Sequence, residues 1–439
     1  MGFFRAAQRN SGARAMRVVL QNLASVIGGE AAVRAANFLA VLVVARKYGQ
    51  TILGAYALSL AVVTIVVMFA DCGLQTAAIT LLSPASSARN RILGRLAFSK
   101  TVLLVAAVAI LAAFQAGTRQ GAALFAIGFW VTVRAVLQSY SQLQMAALKS
   151  VSKAKWIGIV QFLHSVVLVL GICLSFAQGW SIFALLEWMA ASQLLEVLLG
   201  FTALARADIW PRWPVPVDFF STVKAAAPFG IAYGLLNLIV RADIVVLSFF
   251  APFSQIGAFS AANIILLLIY VCSWLFGSIL LPEMVRLAGN PEPLRDYAQH
   301  WARRVTVIVV PLSLLVSFAA PKAIALLFGS AFAPSGPLAR VMALACPFIF
   351  LNSIYTTFTI AANFRASLLQ VYGAATLATL LLDLIFARTL GPLGVAIAIV
   401  IREVAMLLGL WWLSSHLPFR RRNYVAEFLS EGIESNPRA

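Results

Sequence analysis

Long apolar segments separated by short basic loops constrain this chain more than any other feature. Segments of about 20 mostly apolar residues recur along the whole sequence, and each is long enough to cross the hydrocarbon core of a bilayer as a helix. Backbone groups in hydrocarbon must be hydrogen-bonded within the protein, which leaves helices or a closed β-barrel. The segments lack the strict alternation of barrel strands. The sequence therefore predicts an all-α polytopic membrane protein.

Twelve spans can be assigned, six on each side of a cytoplasmic connection that carries Pro211, Pro214 and Pro216. They are Leu23–Ala45, Leu53–Leu74, Leu96–Phe114, Ala122–Ala147, Trp156–Ala177, Ile182–Ala205, Ala226–Phe249, Ile256–Leu280, Val305–Ala320, Leu338–Ala361, Leu368–Phe386 and Val395–Leu413. The ninth is short, contains Pro311 and is followed by Pro321. We divide the chain into a basic amphipathic lead-in (1–22), an N-terminal six-helix lobe (23–212), a C-terminal six-helix lobe (213–413) and a basic tail (414–439).

The distribution of positive charge sets the predicted orientation. Of 33 Lys and Arg residues, 23 are assigned to the side shared by both termini, 6 to the opposite side and 4 to the middle of spans; Lys100 and Arg340, near the ends of their spans, are counted with the first and the second side. Positive charge collects on the cytoplasmic side, so both termini are predicted to be cytoplasmic, in a bacterial inner membrane. The net charge of +18 does not indicate nucleic acid, because these residues lie between spans rather than on one patch. The polar connection Arg286 to Arg304 is predicted to be a surface helix.

An internal repeat is indicated at an offset of 203 residues. The offset places Leu53-Gly54-Ala55-Tyr56 on Ile256-Gly257-Ala258-Phe259 and aligns the first two spans with the seventh and eighth. Six spans is an even number, so the halves share one orientation, as in transporters built from parallel repeats that alternate access between two lobes. Chance similarity between apolar helices is the alternative.

Several short motifs, in order along the chain, resemble one family. The family is the polysaccharide-translocase (Wzx-like oligosaccharide flippase) branch of the multidrug/oligosaccharidyl-lipid/polysaccharide (MOP) exporter superfamily, and the resemblance covers about residues 20–413. The motifs are Ala45-Arg46-Lys47-Tyr48-Gly49, Leu53-Gly54-Ala55-Tyr56-Ala57-Leu58-Ser59, Asp71-Cys72-Gly73-Leu74, Pro228-Phe229-Gly230, Arg241-Ala242-Asp243, Ile256-Gly257-Ala258-Phe259, Leu281-Pro282-Glu283, Leu327-Phe328-Gly329 and Gly391-Pro392-Leu393-Gly394-Val395-Ala396-Ile397-Ala398.

The resemblance implies a fold, a substrate and partners. It implies a V-shaped pair of six-helix lobes around a central cavity, an undecaprenyl-diphosphate-linked glycan as substrate, and membrane lipids, a polysaccharide polymerase and glycosyltransferases as partners. Lipid-linked peptidoglycan-precursor flippases of the superfamily usually carry fourteen spans, so the count of twelve argues against that substrate. The alternatives are a multidrug or small-cation exporter of the same superfamily and, from a different class, a membrane glycan polymerase or glycosyltransferase.

Charges inside the spans are the candidate site residues. A charge at mid-bilayer costs roughly 2.5–3.5 kcal/mol on insertion scales, so each should face a cavity or a partner. Glu30 and Arg34 share one helical face and Asn37 continues it. The 203-residue offset places Tyr233, Asn237 and Arg241 on nearly the same face of the seventh span. The predicted cavity set, built around Arg34 and Arg241 as contacts for a diphosphate, is Arg34, Arg241, Glu30, Asn37, Asn237, Arg134 and Asp243.

Structural roles remain open beside the functional ones. Arg402 is predicted to pair with the adjacent Glu403, and Asp71 to cap or pair near a kink at Gly73. Glu187, Glu196 and Asp383 are either coupling-ion sites or solvated helix ends. His164 is interpreted as a packed polar core residue.

No motif in the sequence indicates catalysis or a cofactor. The four cysteines lie within apolar spans without CxxC spacing, and there is no Walker lysine loop, GxSxG elbow or His/Cys cluster with metal spacing. The chain is therefore predicted to be a transporter without catalytic residues, metal or other cofactor.

Overall fold

The computed structural model describes residues 2–82, 88–117, 122–212, 219–362 and 364–416, and the regular structure among them is helical. We number the α-helices in chain order, with a 3₁₀ helix at Ser330–Phe332 between the ninth and tenth. They are α1 (Gly2–Asp71), α2 (Leu74–Leu82), α3 (Arg89–Gly117), α4 (Ala122–Ser150), α5 (Ala154–Ala177), α6 (Ile182–Ala205), α7 (Phe219–Leu247), α8 (Phe253–Leu287), α9 (Pro291–Phe328), α10 (Ser335–Ala343), α11 (Cys346–Ala361) and α12 (Arg365–His416).

The helices of the described residues cover the predicted spans, some helices holding two spans and one span being divided between two helices. Seven helical stretches are long and apolar enough to cross a membrane, and the bent pair α10–α11 makes an eighth. Two of the seven, in α1 and α12, each hold two segments joined at a glycine break. With these breaks counted, the 29-residue helices α4 and α7 complete the twelve. The prediction of an all-α polytopic membrane protein is confirmed.

A glycine with positive φ separates the paired spans inside each of the two longest helices. Gly49 breaks α1 at φ 80° and Gly391 breaks α12 at φ 59°. Glycine reaches this region without the steric penalty that a Cβ atom brings. The short connections predicted between the first two spans and between the last two therefore each contain one such glycine.

Helix α9 corrects the prediction for residues 286–320. The sequence predicts a surface helix followed by a short, proline-interrupted span, but α9 is one 38-residue helix that continues through Pro311 and Pro321. The reason is a single stripe of buried residues at helical spacing. The stripe runs without a break from the predicted surface helix into the predicted span and packs into one apolar cluster. Its residues are Leu294, Ala298, Ala302, Val305 and Val309. The prediction of a separate surface helix is therefore wrong.

The tenth span is bent rather than straight. Helices α10 and α11 meet at an angle of 42° across a break between Ala343 and Cys346. Pro347 lies in the first turn of α11, where its missing N–H removes no hydrogen bond. The prediction of one span from Leu338 to Ala361 is right in extent, with a kink that hydropathy does not reveal.

The described residues form two compact units. The first runs through Ile264 and includes Ala320–Ala339 and Thr376–Ala398. The second consists of Ile265–Ala319, Arg340–Ala375 and the chain from Ile399 onwards. Each unit has its own buried apolar cluster, one built mainly on α2 to α6 and the other on α8, α9, α11 and α12. The division into lobes 23–212 and 213–413 stays a prediction.

Within the first unit, two glycines allow α1 and α8 to cross at backbone contact. A Cβ atom at Gly54 would lie 1.9 Å from the carbonyl oxygen of Phe253, and one at Gly257 would lie 2.0 Å from that of Gln50. Gln50 to Phe253 and Gly54 to Gly257 are both separations of 203 residues. The contact is therefore reciprocal under the offset that defines the repeat, as expected when two copies of one motif pack about a local twofold axis.

Candidate functional site: an arginine cluster around Tyr56

Four side chains from three helices of the first unit carry the candidate site, and we call them the Tyr56 cluster: Asn37, Tyr56, Arg134 and Arg241. Asn37 and Tyr56 lie on the two segments of α1, Arg134 on α4 and Arg241 on α7. Along their helices they lie about 9–18 Å from the nearest of Gly49, Ala122 and Leu247, at a rise of about 1.5 Å per residue. In helices that cross a hydrocarbon core about 30 Å thick, positions at this distance from a helix end lie within the core.

Arg134 is held by neutral partners. Its Nη2 donates to Asn37 Oδ1, and its Nη1 lies 3.4 Å from the Tyr56 hydroxyl, at the long end of a hydrogen bond. Asn37 in turn donates from Nδ2 to the Val33 carbonyl at 2.9 Å, which fixes its amide so that the oxygen faces Arg134. Nε of Arg134 is buried without a hydrogen-bond partner. The guanidinium is oriented but keeps an unused donor.

Arg241 approaches the same tyrosine from α7. It is half-buried and close enough to Tyr56 to interact with it electrostatically. A cavity of about 30 Å³, with room for a water molecule, lies beside Tyr56 and Arg134 and is also lined by Trp130, Thr64 and Gln138. Arg241, from the other half of the chain, thus lies near the phenol that Arg134 contacts.

Among the described residues, neither arginine of the cluster forms an ion pair with a carboxylate. The ion pairs in this part of the chain join Glu30 to Lys149 and Asp71 to Lys100, and neither includes an arginine of the cluster. Glu196 accepts a hydrogen bond from Gln193. A buried cation without a paired anion is unfavourable, and an anionic ligand would relieve that cost. The arrangement is suited to binding an anion.

The other predicted cavity residues have different surroundings. Arg34 is exposed, and the structure places Glu30 3.4 Å from Lys149 Nζ rather than in a pair with Arg34. Arg34 lies one turn from Asn37 and about 60° around the helix from it. Asp243 is 1% exposed. The side chain of Asn237 lies outside the described residues.

Asp71 has the structural role that the sequence indicates. Its Oδ1 lies 2.5 Å from Lys100 Nζ, and its Oδ2 accepts from the Gln75 backbone N–H at 3.4 Å, next to the turn at Cys72 and Gly73. The assignment of Lys100 to the cytoplasmic surface is wrong, because its side chain is fully buried within the helical bundle. The cause is its partner: an apolar segment can bury a lysine when a neighbouring helix supplies a carboxylate.

Arg402 and Glu403 are paired as predicted, in the core of the second unit. Nε of Arg402 lies 3.2 Å from Glu403 Oε1, and both side chains are at most 2% exposed. Tyr270 donates to Glu403 at 2.6 Å and accepts from Arg402 at 2.9 Å, while Asn352 donates to the other carboxylate oxygen at 2.9 Å. Every polar group of the pair faces a partner, which is typical of a network that holds helices together.

A larger cavity lies in the second unit, where Arg295 caps a helix end. This cavity of about 170 Å³ is lined by Arg295, Tyr355 and Trp411 among others. Arg295 donates to the carbonyl oxygens of Ser414 and Ser415 in the last turn of α12. Its guanidinium is therefore engaged in capping. Within the described residues, no group of three or more His, Cys, Asp or Glu could hold a metal ion.

Sequence reasoning missed Tyr56 as a site residue. It lies in the motif Leu53 to Ser59, which drew attention as part of a repeat, and its phenol interrupts an otherwise apolar run. Buried tyrosine hydroxyls usually find a polar partner, and that rule was the available signal.

Comparison with protein-family models assigns the chain to a family. The model, described as polysaccharide biosynthesis protein, matches residues 42–337, about two thirds of the sequence. The chain belongs to this family. A search of curated protein sequences finds no match.

Solved structures of the MOP superfamily share its fold. A lipid II flippase MurJ in an inward closed conformation aligns with a TM-score of 0.76 at 16% identity, covering 94% of this chain and 90% of that one. An inward-facing multidrug resistance MATE family transporter gives 0.71 at 16% identity over 94% and 100% of the two chains. A MOP superfamily transporter from Pyrococcus furiosus, described as having a binding pocket of reverse polarity, gives 0.62 at 17% identity over 90% and 94%. At these identities the likeness establishes the fold.

Proposed function

We propose that this protein flips a lipid-linked oligosaccharide, carried on a polyprenyl diphosphate, across the plasma membrane for surface polysaccharide biosynthesis. The lobes 23–212 and 213–413 alternate access to a central cavity that holds the headgroup. Both termini are cytoplasmic, and the glycan reaches the protein from glycosyltransferases and leaves it for a polymerase.

One observation carries the choice of substrate: Arg134 and Arg241 both lie near Tyr56, and among the described residues neither guanidinium is ion-paired with a carboxylate. A diphosphate carries at least two negative charges, which cannot enter hydrocarbon without replacement of their hydration. Guanidinium groups remain charged in any environment and can donate paired hydrogen bonds to phosphate oxygens. The Tyr56 cluster supplies that replacement inside the membrane.

Charge at the site separates this function from export of cationic drugs. An exporter of cations needs acidic groups at its binding site, whereas two guanidinium groups repel a cationic ligand. The Pyrococcus furiosus transporter is described as having a pocket of reverse polarity that suggests a different function, and pocket charge is likewise the basis of our assignment.

Surface polysaccharide in a complemented deletion strain tests the proposal. We expect Arg134→Ala and Arg241→Ala each to lower export about 10–100-fold, because a charge-assisted hydrogen bond contributes about 1.5–3 kcal/mol and every 1.4 kcal/mol is tenfold. Lys at either position should retain part of the activity. Arg303→Ala, at an exposed position on α9, is the matched control.

Two further measurements make the test specific. Membrane protein level is measured for every variant, so that loss of export is not confused with loss of protein. Lipid-linked glycan should accumulate on the cytoplasmic leaflet in the arginine variants, whereas loss of a polymerase would leave single repeat units on the far leaflet. Full export by an Arg134→Ala, Arg241→Ala double variant would refute the anion site. Arg34→Ala tests the original prediction that Arg34 also contacts the headgroup, and unchanged export there would remove that residue from the site.

A further inference from the structure

A buried histidine and glutamate face each other in the same unit as the Tyr56 cluster. His164 on α5 is 0% exposed and Glu196 on α6 is 6% exposed. Each lies near the middle of its 24-residue helix, so a solvated helix end does not explain Glu196. The proposed anion site uses neither residue.

The hydrogen bonds of His164 assign its tautomer. Nδ1 lies 2.8 Å from the Ser192 carbonyl oxygen, which can only accept, so Nδ1 carries a hydrogen. In the neutral imidazole Nε2 is then an acceptor. Nε2 is buried without a hydrogen-bond partner, and Glu196 Oε2 lies 3.8 Å from it.

Two acceptors therefore face each other in a buried space. The same Oε2 accepts a hydrogen bond from Gln193, which holds the carboxylate in place. A lone pair opposite a carboxylate oxygen is repulsive, and one proton on either atom converts the contact into an attraction. The geometry thus provides a place for one proton between His164 and Glu196. From the sequence alone, His164 was interpreted as a packed core residue.

Helices α1, α4 and α6 pack against α5, and one charged group on them belongs to the anion site. Helix α6 presents Glu196, and Arg134 on α4 acts on His164 electrostatically. Helix α1 presents Lys47, which donates to a carbonyl near the far end of α5, and Glu30, which is paired with a lysine of α4. Among the described residues, Arg134 is the cation that acts on His164 and also belongs to the Tyr56 cluster.

We propose that His164 and Glu196 form a proton-binding site that is coupled through Arg134 to the anion held at the Tyr56 cluster. The inference rests on the proposed function. The positive charge of Arg134 opposes a proton on the pair, and an anion on Arg134 cancels that charge. Anion binding then takes up a proton, and by reciprocity the proton tightens anion binding. The headgroup consequently moves with one negative charge fewer.

Calorimetry of the purified full-length protein tests the coupling. The probe is methanedisulfonate, whose two charges do not change between about pH 5 and 8, the range in which histidine titrates. Binding enthalpies in buffers of different ionisation enthalpy give the number of protons taken up. We expect uptake of up to one proton per anion, and an affinity that rises up to tenfold for each pH unit lowered.

The variants separate the coupling from the anion site itself. His164→Gln should bind the anion without proton uptake, and Glu196→Gln should lower the uptake. His300→Gln, at an exposed position of α9, should behave as the unchanged protein. Anion binding without proton uptake in the unchanged protein, at all pH values, overturns the coupling and leaves the proposed function standing. Equal uptake in His164→Gln also overturns it. If the unchanged protein does not bind the anion, both the coupling and the proposed anion site are overturned. This measurement uses the unchanged protein alone, so it does not depend on whether a variant folds.

Discussion

The buried pair of Asp71 and Lys100 allows one perturbation to be worked out from the structure. Lys100 is 0% exposed and Asp71 is 14% exposed, with 2.5 Å between Nζ and Oδ1. Asp71→Asn keeps the size of the side chain and an oxygen that can still accept from the Gln75 N–H, because Asn caps helices about as well as Asp. The substitution therefore removes the charge and little else.

We expect Asp71→Asn to lower the free energy of unfolding by about 3–5 kcal/mol, which is the usual cost of leaving a buried charge without its partner. Lys100→Met should cost less, about 1–3 kcal/mol, since Asp71 keeps some solvent and the Gln75 hydrogen bond. The double variant should recover most of the loss, because a neutral pair has no uncompensated charge. The two single effects should thus fail to add, which is the signature of a direct interaction.

Unfolding of the four proteins in mixed micelles, followed by tryptophan fluorescence, gives the complete double-mutant cycle. The order of stability should be unchanged protein, double variant, Lys100→Met and then Asp71→Asn. A single Asp71→Asn variant within 0.5 kcal/mol of the unchanged protein, or a double variant no more stable than Asp71→Asn, would refute the reasoning. Either result would mean that Lys100 reaches solvent or another partner in the membrane.

Three further predictions concern packing and topology. Gly257→Ala should reduce export at normal protein level, because its Cβ meets a backbone carbonyl at 2.0 Å, whereas Gly28→Ala, with open space around it, should have no effect; equal export by both variants would contradict the tight crossing. Arg402→Met should reduce the amount of folded protein, measured by size-exclusion chromatography, since it leaves Glu403 buried and unpaired; a normal elution profile would count against a structural role. Reporter fusions after Arg212 should give a cytoplasmic signal and fusions after Gly49 the opposite one, and the reverse result would overturn the predicted orientation.

The helices were predictable from the sequence because lipid, as the surrounding solvent, restricts the backbone conformations that an apolar segment can adopt. An apolar segment of about 20 residues in lipid has to satisfy its own backbone, so hydropathy alone located the spans. The short connections predicted between the first two spans and between the last two contain the breaks at Gly49 and Gly391. The exception is α9, where a polar stretch continues the buried stripe of the adjacent span, a pattern that a hydropathy window does not detect.

The pairing of charges was predictable only where the partners are neighbours in sequence. Arg402 and Glu403 are adjacent, and their ion pair was predicted. Glu30 shares a helical face with Arg34 yet pairs with Lys149 from another helix, 119 residues away. Periodicity gives the face of a residue on its own helix, but not the rotation and depth of the helix opposite.

What the amino-acid sequence determined by itself is therefore the all-helical membrane class, the approximate ends of the apolar segments and the arginines that need an explanation. Only the tertiary structure decided that Lys100 is buried, that His164 faces Glu196, and that Arg134, 78 residues from Tyr56, contacts it. The physical reason is that burial in lipid is a property of each segment. A contact between polar groups inside the membrane depends instead on how two helices are turned and shifted against each other, which packing over their whole length decides.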